Sequence, residues 1–128
     1  MKNLLALLAL AVLGTAGAVV STAQSPGEIF NQGGEVYAEN CAPCHRSNGE
    51  GLPYKFPALH KNPLVLGDPG TVIAVVLNGR KGKMGLMPGW QDKLSDREIA
   101  GAVTYIRGAW TNRAPAVTPA TVAAQRGK

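Results

Sequence analysis

Both cysteines of the chain and one of its two histidines fall in one stretch, AENCAPCHRSNGEG at residues 38–51. Four chemistries compete for Cys41, Cys44 and His45. A redox dithiol needs Cys-x-x-Cys at a helix start beside a βαβ unit, where the helix dipole lowers a thiol pKa. Here the pair lies where a helix is expected to end, and no parallel-sheet pattern exists. A zinc knuckle needs four ligands; His60 would have to be the fourth, and His45 follows Cys44 too directly for both to face one tetrahedral ion. A plain disulfide is the ordinary state of an exported cysteine pair, and it leaves His45 without a role. The remaining chemistry uses all three residues. In Cys-x-x-Cys-His the sulfurs lie one turn apart on one face, where they can add to the two vinyl groups of a porphyrin. The next imidazole is then carried over the ring to bind iron. Cys41 and Cys44 are therefore expected to anchor one covalent haem c, with His45 as an iron ligand.

A second axial ligand must come from elsewhere, and Met84, Met87 and His60 are the candidates. Thioether sulfur is a soft ligand suited to electron-transfer haem iron. The segment KGKMGLMPGW is Gly-rich and lacks the pattern of an apolar helix face, so core filling explains its methionines poorly. Met87 precedes Pro88, which has no N–H and stiffens the loop. Met87 is the preferred ligand and Met84 the alternative; His60, in PALHKNP, reads as a loop residue. Iron capped on both faces has no vacant site for substrate and can only change oxidation state. The expected function is single-electron carriage without enzymatic activity. An open iron site, as in a haem enzyme or gas sensor, is the competing reading.

Three helices are expected to position these groups. SPGE at residues 25–28 combines a Ser25 cap, Pro26 in the first turn and a capping-box Glu28, and starts a helix that runs into Cys41. DPGTVIAVVLNGR has Asp68 as cap, Pro69 at the first position and Gly79 past the end. SDRE at 95–98 is a second capping box, followed by the apolar stripe Ile99, Ala102, Val103, Ile106 and Trp110. No run alternates with a period of two, so the fold class is all-α with little or no sheet. The long loops at 47–67 and 79–94 are expected to wrap the bulky cofactor.

At 128 residues the chain holds at most one domain. Thirteen Lys and Arg against eight Asp and Glu make it modestly basic, with no dense basic patch interleaved with aromatics, so nucleic acid is not a partner. Lys2 and the uncharged LLALLALAVLGTAGAVV read as an export leader, with cleavage expected after Ala23; a retained membrane anchor is the alternative. Either places the protein outside the cytoplasm, periplasmic or on the outer face of the membrane. The expected divisions are a leader at 1–23, the haem domain at 24–113 and an Ala/Pro-rich tail at 114–128. A short closing helix from Thr118 and a loose tail are both compatible with the sequence.

From Pro26 to Asn112 the chain resembles a class I cytochrome c of the small bacterial mono-haem kind. The resemblance rests on CAPCH, FPAL, MPGW and LSDREIAGAVTYIRGAW in this order. It is similar also to the haem domains of quinone-linked dehydrogenases, so an electron-transfer subunit of such an enzyme or of a membrane oxidase is the alternative function. The resemblance implies a cytochrome c-like fold in which the first and last main helices cross near Gly33, Tyr37 and Tyr105. It also implies that the Pro57 carbonyl accepts a hydrogen bond from the His45 ring, and that Arg80, Trp90 and Lys81 meet the haem propionates. Lys55, Lys81, Lys83 and Lys93 are implied to steer redox partners with acidic docking surfaces.

Overall fold

The computed structural model describes Gly14, residues 17–20 and residues 22–128. The expected leader at 1–23 therefore lies largely outside the described residues. In chain order the elements are α1 (Pro26–Asn40), α2 (Ala42–His45), α3 (Pro63–Leu66), α4 (Pro69–Asn78), β1 (Arg80–Gly82), β2 (Gly85–Met87), α5 (Asp96–Gly108) and α6 (Pro119–Gln125).

The three long helices start where local chemistry dictates. Ser25 and Glu28 form a reciprocal capping box on α1, and Ser95 and Glu98 form another on α5. Asp68 caps α4 by accepting from the Thr71 N–H at 2.8 Å. These carboxylates sit below their ordinary values of 4.5 for Glu28 and Glu98 and 3.8 for Asp68, chiefly because each accepts a backbone N–H. A depressed folded pKa means the stabilisation is complete above the ordinary carboxylate range and is lost as pH falls through the folded values. Thermal unfolding followed from about pH 6 down to about pH 3 should show a falling melting temperature. The triple variant Glu28→Gln, Asp68→Asn, Glu98→Gln should start lower at neutral pH and lose less on acidification.

The core is built where α1 crosses α5. A β-carbon on Gly33 would fall inside the backbone carbonyl of Gly101, and one on Gly101 would lie 3.1 Å from the Gly33 Cα. Glycine on both helices lets the backbones touch. Aromatic rings close the crossing, with Tyr105 centred 5.1 Å from Phe30 and 5.2 Å from Tyr37. Ile73 and Leu77 from α4, Ile99 and Val103 from α5 and Val122 from α6 complete the buried cluster.

Three features differ from the simplest reading of the sequence, and the tail takes the closing-helix alternative. Residues 47–67 contain α3, held by the Asn62 side chain accepting from the Leu64 N–H at 2.9 Å, with Pro63 in its first turn. Four residues are too few to leave a periodic signal. Residues 79–94 contain an antiparallel hairpin in register Arg80↔Met87, Lys81↔Leu86 and Gly82↔Gly85. Its strands are three residues each, too short to alternate visibly. Helix α5 ends at Gly108, and Trp110 lies beyond it at φ 57°, so the indole leaves the apolar stripe. The tail folds back on the core: Thr118 caps α6, and Thr104 of α5 exchanges hydrogen bonds with Val117.

Candidate haem site

Helix α1 stops because Pro43 has no N–H to continue its ladder and its ring crowds the preceding turn. The chain kinks at Cys41 and restarts as the single turn α2, with the Cys44 and His45 N–H groups both donating to the Cys41 carbonyl. Arg46, at φ 68°, ends the turn, and the Tyr37 hydroxyl donates to its carbonyl at 2.5 Å. Cys41 and Cys44 are unbonded to each other, the first half-buried and the second exposed. Burial, with Cys44 adding to it, pushes the Cys41 thiol up to about 11. That is the reverse of the lowered thiol pKa a redox dithiol needs.

His45 is buried, and its Nδ1 lies 2.9 Å from the Pro57 carbonyl oxygen. A carbonyl only accepts, so Nδ1 carries the hydrogen and the Nε2 lone pair is left as a ligand atom. Among the described residues Nε2 has no protein partner. The turn that brings Pro57 back is made by Gly51, at φ 60°, whose N–H donates to the His45 carbonyl at 2.9 Å. A β-carbon there would overlap the Phe56 carbonyl and come within 2.6 Å of the Pro57 oxygen. Gly51 went unrecognised in the sequence; its only mark was its place in a Gly-containing loop.

Met87 ends β2, half-buried, opposite Arg80 at the foot of the hairpin. Met84 occupies the two-residue turn at the tip and is 37% exposed. The foot is packed onto the end of α4, since a β-carbon on Gly79 would overlap the Met87 carbonyl and lie 2.7 Å from the Gly89 nitrogen. The Trp90 N–H donates to Val76 at 2.9 Å, and Lys93 Nζ lies 5.2 Å from the Trp90 ring. Neither the Arg80 guanidinium nor the Trp90 indole N–H has a protein partner among the described residues, so both are free to meet an anion. His60 is used otherwise, its Nε2 lying 2.6 Å from Thr111 Oγ1.

Two free thiols one turn apart and an imidazole with Nε2 unpaired make a donor set that fits an iron porphyrin. The sequence profile of the family described as cytochrome c oxidase, cbb3-type, subunit III matches residues 28–106. The chain belongs to this family of c-type cytochromes. Its cofactor is accordingly a covalently bound haem c, and its function is electron transfer. The cytochrome is 38% identical over 100 residues to the cytochrome c subunit of the quinone alcohol dehydrogenase of Gluconobacter oxydans (strain 621H), a match covering 71% of this chain and 21% of that one. It is 39% identical over 74 residues to cytochrome c6 of Leptolyngbya boryana, covering 58% of this chain and 85% of that one. Among solved structures, the c-type cytochrome XoxG from Methylobacterium extorquens AM1 aligns over 75% of this chain and 63% of that one, with a TM-score of 0.49 and 24% identity. The cytochrome thus spans about a fifth of the length of the dehydrogenase subunit it resembles.

Proposed function

We propose that Cys41 and Cys44 hold the haem as thioethers, that His45 and Met87 bind its iron from opposite faces, and that the domain passes single electrons between redox proteins outside the cytoplasm. The observation that carries this reading is the His45 ring. It is fixed by the Pro57 carbonyl in the tautomer that offers Nε2, beside two unpaired thiols. The haem supplies a one-electron couple. The chain's own residues fix the imidazole, hold the thioether on a short stiff hairpin and leave no catalytic acid, base or nucleophile assigned to substrate. On this reading the domain by itself performs no bond-making step.

Met87 is preferred over Met84 because it lies half-buried at the anchored foot of the hairpin, whereas Met84 lies at its exposed tip. Arg80 and the Trp90 indole, both with free donors, are proposed to meet the propionates. Exposed Lys55, Lys81, Lys83 and Lys93 would attract an acidic docking surface on the partner. The similarity to a dehydrogenase subunit supports a second assignment, an electron-transfer unit within a larger quinone-linked enzyme.

Mass spectrometry of exported protein should find haem on the peptide containing residues 38–51 and define the mature N-terminus; unmodified thiols would sink the reading. In absorption spectra of the oxidised protein, Met87→Ala should abolish the methionine-to-iron band and Met84→Ala should retain it. The opposite pattern would exchange the two assignments.

A further inference from the structure

The Pro57 carbonyl that orients His45 belongs to a loop with no long helix or sheet of its own, so something else must fix it. The residues that do so lie at the far end of α5. The Trp110 Nε1–H donates to the Ser47 carbonyl at 2.9 Å, across 63 residues of sequence. Its ring covers Gly49 so closely that a β-carbon there would overlap the indole. The Gly49 carbonyl in turn accepts from the Leu59 and His60 N–H groups at 2.7 and 3.0 Å, so the loop is folded across itself under the indole.

Asn112, 1% exposed, ties the other limb. Its Nδ2 donates to the Leu59 carbonyl at 3.2 Å and to the Ile106 carbonyl of α5 at 2.7 Å, and its Oδ1 accepts from the Lys61 N–H at 2.9 Å. Pro57 therefore sits between the Leu52–Phe56 bridge on one side and the Leu59 anchor on the other.

We infer that Trp110 and Asn112 are positioning residues for the iron ligand: through the 47–61 loop they set the Pro57-to-His45 hydrogen bond and with it the donor strength of the imidazole. The inference rests on the reading of His45 as an axial ligand. A hydrogen bond to Nδ1–H raises the ligand's basicity, which favours the oxidised iron. Loosening the clamp should weaken that bond. The potential should then rise, and in the reduced, diamagnetic protein the His45 Nδ1–H proton should move to lower chemical shift.

The test uses full-length haem-loaded protein, read by redox titration and by proton NMR of the reduced form. Asn112→Ala removes the Leu59 and Lys61 ties. Trp110→Phe keeps a ring over Gly49 but removes the donor to Ser47, and gives the same readings should the first variant fail to mature. Thr104→Val, which cuts the link from α5 to Val117, is the control for lost stability alone. A raised potential and a His45 Nδ1–H signal moved to lower chemical shift in the clamp variants, with neither in the control, is the expected result. Clamp variants that unfold earlier but keep both values unchanged would overturn the inference. A parent protein whose His45 ring protons show no haem ring-current shift would instead overturn the assignment of His45.

Discussion

Replacing Arg107 with methionine is expected to lower stability by about 3–5 kcal/mol, since it strands three backbone carbonyls at about 1–3 kcal/mol each, two of them only part-buried. Arg107 is 3% exposed, and its guanidinium donates to the Val65 carbonyl at 2.7 Å, the Gly67 carbonyl at 2.9 Å and the Pro115 carbonyl at 2.9 Å. One side chain of α5 thereby satisfies the end of α3 and the start of the tail. Burial lowers its pKa from the ordinary value, and the nearby Asp68 charge opposes this. Methionine matches the stem but leaves three carbonyls without donors. Arg107→Lys should fall between, because one ammonium cannot reproduce the fork that spans separate carbonyls. Denaturant titration of the haem-loaded protein reads the order wild type, lysine, methionine. Equal stability of the wild type and the methionine variant would show that water replaces the lost donors.

The second large effect is steric. Gly33→Ala places a methyl group inside the Gly101 carbonyl, backbone against backbone, where no side chain can swing aside. The two helices must separate, opening the Phe30–Tyr37–Tyr105 cluster that closes the crossing. Overpacking a core costs about 1–3 kcal/mol and sometimes more; a clash between two backbones belongs at or above the top of that range. For a domain of this size the melting temperature should drop by about 10 °C or more. Gly27→Ala, on the same helix with only the Ser25 hydroxyl 4.0 Å away, should change it little. Similar losses at both positions would mean that helical glycine content, rather than the crossing, controls stability.

What was legible in the sequence was local. Capping boxes declare themselves within four residues, so the starts of α1 and α5 matched those drawn from Ser25–Glu28 and Ser95–Glu98. Cys-x-x-Cys-His is equally local, and haem c follows from family membership as well as from that pentapeptide. The ties across the molecule were not legible. Arg107 reads as one charge on an amphipathic helix, and Asn112 as the residue after a helix end. Each takes its meaning from backbone carbonyls 40 to 53 positions away, which leave no mark in the sequence. Trp110 was misplaced for a related reason. Its spacing fits the α5 stripe, but the left-handed turn at Trp110 swings the ring onto Gly49, a contact with a loop far away in the sequence that helical spacing does not show.

The two ends of the folded body share one address. Gln24, just ahead of α1, accepts from Arg97 Nε at 2.6 Å, and Arg126, just after α6, pairs with the neighbouring Asp96. The polypeptide thus comes in and goes out beside the first turn of α5. A body with adjoining doorways can be spliced into a longer protein, or strung in tandem, without disturbing its interior. That geometry offers a physical reason why so similar a unit recurs both as most of a cytochrome c6 and as a fifth of a dehydrogenase subunit.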